Sequence, residues 1–159
     1  MINLTHDQKE LLKKIELFFA GDDRIFLLKG SAGTGKTTII RLITGILLKN
    51  DMAFSLMAPT GKAASVIQAR TGHEARTIHS CIYQFTGLDE VKEDSKSSDD
   101  EDDATPLYMF RKRDCEGTSI LIVDEASMVS NNYSDSGILR FGSGYLLDDL
   151  VSFSGILRD

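Results

Sequence analysis

The apolar positions of the chain change spacing along its length, and each change marks an element. In residues 5–19, Leu11, Leu12, Ile15, Phe18 and Phe19 recur three or four residues apart, which predicts a helix with one apolar stripe. Thr5 or Asp7 can cap its start. Gly21-Asp22-Asp23 then turns the chain into Ile25-Phe26-Leu27-Leu28. That short run has no polar position, as a buried parallel strand would have. Residues Thr38 to Lys49 form a mostly apolar stretch that predicts a second helix. Asn50-Asp51 turns into a second strand, Ala53–Ala58. Pro59-Thr60-Gly61 breaks that strand before a short helix from Lys62 to about Arg70. Ser119–Val123 predicts a third strand of the fully buried kind, Ser130–Gly144 an exposed loop, and Tyr145–Phe153 a short helix. Strand and helix in alternation predict an α/β fold, a parallel sheet flanked by helices with right-handed crossovers.

Length and charge refine this picture. At 159 residues, with 42% hydrophobic and 26% charged residues, the chain has the make-up of one ordinary globular domain. No apolar run reaches the length of a membrane span, and the first residues lack the basic-then-apolar pattern of a secretory signal. Cys81 and Cys115 are far apart with no metal-site spacing, so two reduced thiols and a cytoplasmic location are expected. The net charge of −6 is local in origin: residues 88–103 hold nine acids and two lysines, and the remainder stands at +1. A disordered or mobile loop is expected over 87–105. After it, Leu107-Tyr108-Met109-Phe110 and the basic run Arg111-Lys112-Arg113 predict an exposed strand of a small hairpin.

Residues 30–37 carry the clearest chemistry. Gly-Ser-Ala-Gly-Thr-Gly-Lys-Thr is a complete G-x-x-x-x-G-K-[ST] phosphate loop between a predicted strand and a predicted helix, the context the motif requires. Gly30, Gly33 and Gly35 allow a tight wrap, because glycine reaches positive φ without a Cβ clash. The backbone N–H groups of such a loop cradle phosphate oxygens at the positive end of the following helix. The expected nucleotide-binding residues are Gly30, Ala32, Gly33, Thr34, Gly35, Lys36, Thr37 and Thr38. Lys36 would bring a point charge to the β- and γ-phosphates, and the Thr37 hydroxyl would ligate Mg²⁺. ATP and Mg²⁺ are therefore the expected cofactors.

Asp124-Glu125 directly follows the third strand. An acid there lies at the carboxyl edge of the sheet, where open α/β folds bind their ligands. Asp124 would hold Mg²⁺ opposite Thr37, and Glu125 would polarise an attacking water as general base. The second carboxylate favours hydrolysis over transfer to a small molecule.

Further segments narrow the class. Leu4-Thr5-x-x-Gln8, the phosphate loop, Ala58-Pro59-Thr60-Gly61-Lys62-Ala63-Ala64, Arg76-Thr77-Ile78-His79-Ser80 and Val123-Asp124-Glu125-Ala126-Ser127-Met128 occur in this order. The set resembles the N-terminal RecA-like motor domain of superfamily 1 DNA helicases, within the RecD-like group. The resemblance covers residues 4–80 and 119–129. It implies that Gln8 reads the adenine edge, and that Thr60, Lys62, Thr77 and His79 contact single-stranded DNA, Lys36 and Glu125 serving catalysis. It implies 5′-to-3′ translocation driven by ATP hydrolysis. It further implies a RecA-like body of residues 1–80 and 119–159, incomplete at its C-terminal end, with a small inserted pin-like subdomain at 81–118. There, Tyr83, Phe85, Tyr108 or Phe110 would stack on bases, and Arg111 to Arg113 would follow the backbone. A second RecA-like domain with arginines would complete the ATP site of such a motor. The sequence does not include it, so little turnover and no unwinding are expected of these residues alone. The competing readings are a non-catalytic nucleotide-binding module and an unrelated phosphate-loop ATPase or kinase.

Overall fold

The computed structural model describes residues 4–31, 33–91, 105–114 and 120–156. Ala32, Cys115, Ser119 and most of the acidic segment (92–104), all singled out above, lie outside the described residues. The chain begins with α1 (His6–Ala20), and α2 (Lys36–Lys49) follows the phosphate loop. β1 (Phe54–Ala58), α3 (Gly61–Thr71), β2 (Ala75–Thr77) and α4 (Ile78–Ile82) come next. A hairpin of β3 (Tyr83–Val91) and β4 (Thr105–Lys112) precedes β5 (Ile120–Val123). A short 3₁₀ turn at Ala126–Met128, β6 (Leu139–Phe141) and α5 (Leu146–Ser154) complete the described chain.

Among the described residues the strands form two three-stranded sheets. The first, in the order β2-β1-β5, is parallel throughout, with Ala58 opposite Thr77 and Met57 opposite Val123. Its faces follow the two-residue period of a strand. On one face Leu56 and Ile122 pack with Ile40 of α2 and Ile67 of α3. On the other, Met57, Leu121 and Val123 pack with Ile78 and Ile82 of α4 and Leu150 of α5. The molecule thus has the α/β architecture of a phosphate-loop domain, a parallel sheet flanked by helices. In the second sheet β4 lies between β3, antiparallel, and β6, parallel. Its residues Phe110 and Phe141 join the Met57 core, so α4 and α5 are wedged where the two sheets meet.

Four expectations need correction. The loop expected over 87–105 is entered later and left earlier, because Gly87–Val91 belong to β3 and Thr105 to β4, paired with each other. Ile25–Leu28 is not a paired strand: residues 23–30 have no regular structure, and Ile25 and Leu27 are 64% and 67% exposed. Phe26 instead packs on Phe18 of α1, ring centroids 5.4 Å apart. An apolar run specifies burial but names no neighbour, and the first sheet provides none here. β5 is half-buried rather than fully buried, because it is the edge strand of that sheet. The segment 130–144, read as loop, contains β6 and so contributes a strand to the second sheet.

Local chemistry explains the helix ends. Thr5 and Gln8 form a reciprocal capping box at α1: Thr5 Oγ1 accepts from Gln8 N, and Gln8 Oε1 accepts from Thr5 N. Thr60 caps α3 by accepting from Ala63 N, and Gly72 ends that helix at φ 78°. Near α5, Tyr83 donates its phenol hydrogen to the buried Asp149 carboxylate at 2.7 Å, and Ser143 N donates to the same oxygen at 2.9 Å. Burial first, and then the Asp149 hydrogen bond, hold the Tyr83 phenol well above its ordinary pKa.

Candidate functional site

The phosphate loop is built on left-handed glycines. Gly33 and Gly35 stand at φ 80° and 87°, where an L side chain is strained. Gly35 is also the N-cap of α2 and offers no side-chain cap, so the first-turn N–H groups of this 14-residue helix have no internal acceptor. Lys36 Nζ folds back to donate to the carbonyls of Gly30 (2.7 Å) and Ser31 (3.0 Å). Thr34 Oγ1 donates to the same Ser31 carbonyl at 2.8 Å. An uncapped helix start with a lysine hydrogen-bonded to neutral carbonyls fits a polyanion. Thr37 and Thr38 lie half-buried in the first turn of α2. Gln8 approaches the loop from α1, its Nε2 donating to Thr34 O at 3.4 Å.

The second group of expected residues lies at one edge of the first sheet. Because β1, β2 and β5 are parallel and in register, their carboxyl ends emerge together. They deliver Pro59-Thr60, Thr77 and Asp124 to that edge. Lys62 is exposed in the first turn of α3, on which Thr60 is the cap. Asp124 N donates to Met57 O, and Asp124 Oδ1 accepts from Glu125 N, both at 2.9 Å. These bonds place the half-buried Asp124 at the strand end and set the next peptide. Glu125 then adopts φ 53°, ψ 36°, a left-handed conformation costing a non-glycine residue about 1–2 kcal/mol. Its side chain is exposed.

Thr77 and His79 stand at the mouth of an open cleft of about 410 Å³ between the sheets. Its walls are aromatic. Phe110 and Phe141 stack at 4.6 Å with planes 24° apart, Phe85 meets Phe110 at 5.6 Å, and the His79 imidazole meets Phe141 at 5.0 Å. Arg113 also lines the cleft, its Nε donating to Tyr83 O at 2.9 Å. Burial lowers the His79 pKa below the ordinary imidazole value, so near neutral pH the ring offers a hydrogen bond rather than a charge. Thr77 Oγ1 accepts from Ser80 N and donates to Ser80 Oγ, so this hydroxyl is engaged in capping α4.

The structure sorts the expected stacking residues. Phe85 and Phe110 face the cleft, and Phe85 is 55% exposed. Tyr83 lies mostly beneath it, bound to Asp149. Tyr108 is exposed beside Phe85, centroids 6.4 Å apart. Of the basic run, Lys112 is bonded to Ser152 Oγ, Arg111 is exposed, and Arg113 lines the cleft. Sequence reasoning missed Phe141 and Gln84, both cleft residues. The signal for Phe141 was the apolar alternation Leu139-Arg140-Phe141 inside an otherwise polar stretch.

The sequence model of a family described as AAA domain matches residues 3–136. The chain belongs to this family. Within it, the chain is similar to RecD-like helicases. It is 30% identical over 144 residues to the RecBCD enzyme subunit RecD of Buchnera aphidicola subsp. Schizaphis graminum, covering 80% of this chain and 22% of that protein. It is 38% identical over 76 residues to the ATP-dependent RecD2 DNA helicase of Deinococcus radiodurans, covering 48% of this chain and 10% of that protein. The ATP-dependent DNA helicase dda of Enterobacteria phage T4 is 32% identical over 81 residues, covering 50% and 18%. The chain therefore spans at most 22% of the length of these relatives. No solved structure matches significantly. Among the described residues no helix is long and apolar enough to cross a membrane, and no three His, Cys, Asp or Glu side chains cluster as a metal site.

Proposed function

We propose that this AAA domain is the ATP-binding motor domain of a cytoplasmic, ATP-dependent 5′-to-3′ DNA helicase, coupling ATP hydrolysis to translocation on single-stranded DNA. One observation supports the reading: β1, β2 and β5 are parallel and in register, so Thr60, Thr77 and Asp124-Glu125 follow neighbouring strand ends at one sheet edge. Bound ATP supplies the phosphoanhydride bond whose cleavage drives the motor. Lys36 is released from Gly30 and Ser31 to meet its phosphates, and the α2 N–H groups complete the anion site. Thr37 and Asp124 are the protein ligands offered to Mg²⁺, and Glu125 takes the proton of the attacking water. Gln8 retains one amide donor and one acceptor position for an adenine edge.

Single-stranded DNA enters by Thr60, Lys62, Thr77 and His79 into the aromatic cleft, where a base stacks against Phe85 and Phe110 while Arg113 meets a phosphate. In the complete motor a second RecA-like domain closes over the nucleotide. A non-catalytic nucleotide-binding module is the alternative, and the intact set Lys36, Thr37, Asp124 and Glu125 speaks against it. The test is nucleotide affinity and ATP turnover with and without an oligothymidylate. The reading expects the oligonucleotide to change at least one of them and Lys36→Ala to abolish binding. Indifference of both to DNA would remove the motor. Polarity is read from displacement of duplexes with 5′ or 3′ tails by the complete gene product.

A further inference from the structure

Gln8 does more in this structure than an adenine-reading side chain needs to do. Its Oε1 accepts from Thr5 N at 3.1 Å, and its own N–H donates to Thr5 Oγ1 at 3.3 Å. The first bond restrains its side chain on the first turn of α1, and the second anchors its backbone there. The amide so fixed reaches a residue 26 positions away, donating Nε2–H to Thr34 O at 3.4 Å. The approach is close: a Cβ on Gly35 would lie 2.7 Å from Gln8 Nε2, so a side chain there would displace the amide. Thr34 in turn bonds through Oγ1 to the Ser31 carbonyl, which also accepts from Lys36. A continuous chain of hydrogen bonds therefore runs from the cap of α1 through the phosphate loop to its lysine.

Peptide geometry gives this contact a consequence. In a trans peptide the carbonyl of one residue and the N–H of the next point in opposite directions. With Thr34 O turned toward Gln8, the Gly35 N–H is turned to the side away from it. Gly35 has positive φ and no side chain, so little else opposes rotation of that peptide.

We propose that Gln8 is a positioning residue for the phosphate loop: by holding the Thr34 carbonyl it orients the Gly35 N–H for phosphate, whatever base the nucleotide carries. The role rests on the nucleotide-binding reading above and adds to it a contribution independent of adenine. The bond is long and neutral, so its loss should weaken phosphate binding about three- to tenfold, the equivalent of one modest hydrogen bond.

The experiment measures dissociation constants of ATP, GTP and inorganic tripolyphosphate for the 159-residue chain by calorimetry or by displacement of a fluorescent nucleotide. The variants are Gln8→Ala, Gln8→Met and Thr5→Ala. Thr5→Ala weakens the α1 cap but keeps the backbone N–H that holds Gln8. The expected result is a similar loss for all three ligands in both Gln8 variants, with Thr5→Ala close to the parent. A loss confined to ATP, or an unchanged tripolyphosphate affinity, would overturn the proposal and leave Gln8 as a base reader. An equal loss in Thr5→Ala would also overturn it, because the cap and not the tether would then be responsible. If the parent chain bound neither ATP nor tripolyphosphate, the nucleotide reading itself would fall first.

Discussion

Tyr83→Phe isolates the buried contact beneath the aromatic cleft. The substitution removes one oxygen and leaves a ring that already packs on Phe141 at 5.4 Å and on His79 at 5.6 Å. What is lost is the 2.7 Å bond to Asp149 Oδ2, whose residue is 6% exposed. Asp149 keeps the bond from Ser143 N, so the carboxylate is weakened in its support rather than orphaned. A hydrogen bond to a charged group contributes about 1.5–3 kcal/mol, so a destabilisation of about 2 kcal/mol is expected. For a chain of this length that lowers the melting temperature by about 4–8 °C. Urea titration or calorimetry at neutral pH measures it. The pH dependence supplies a second check. The folded-state pKa of Tyr83 is raised, so its protonated form stabilises the fold below the unfolded-state value near 10 and the contribution is lost as pH rises beyond it. The gap between parent and Tyr83→Phe should therefore be constant from pH 7 to 9 and narrow above pH 10. A difference under about 0.5 kcal/mol at pH 7, below any ordinary value for such a bond, would refute the argument.

Other consequences are tested more briefly. In the complete gene product, Glu125→Gln should lower turnover by about 10²–10⁴ while leaving ATP affinity within a few-fold, as loss of a general base does; an unchanged rate would assign the proton elsewhere. Glu125→Gly should raise unfolding stability by about 1 kcal/mol by relieving the left-handed backbone, and a loss would show that the conformation is not strained. Phe85→Ala should weaken oligothymidylate binding by about 1–3 kcal/mol in a fluorescence anisotropy titration, since its ring is largely exposed in the cleft. Arg113→Ala should reduce the slope of log affinity against log salt by about 1, the signature of one lost phosphate contact.

The parts of the molecule legible in the sequence are those specified by neighbours in the chain. Glycine spacing announced the phosphate loop, because the left-handed turns at Gly33 and Gly35 are local requirements. The stripe of α1 and the cap at Thr5 were visible for the same reason. Pairing was not. Ile25–Leu28 and Ile120–Val123 are both short apolar runs, yet only the second finds a ladder. β2 is three residues long, too short to show a period, and β6 lies in a stretch dominated by Ser, Gly and Asn. The Gln8–Thr34 contact and the meeting of Phe110 with Phe141 join residues far apart in the chain, which no spacing rule can anticipate. The site's residue types were thus readable, while the cleft they share with Phe141 required the fold.

The central claim is that one sheet edge couples a nucleotide site to a single-stranded DNA site. Its most direct test is the affinity of the chain for ATP and Mg²⁺ measured in the absence and presence of saturating oligothymidylate. The account predicts a coupled shift of about five-fold or more, a size ordinary for linked sites, with an equal reciprocal shift of oligonucleotide affinity when ATP is added. It also predicts loss of the coupling in Lys36→Ala. Tight ATP binding that is identical with and without DNA, alongside DNA binding indifferent to ATP, would contradict it.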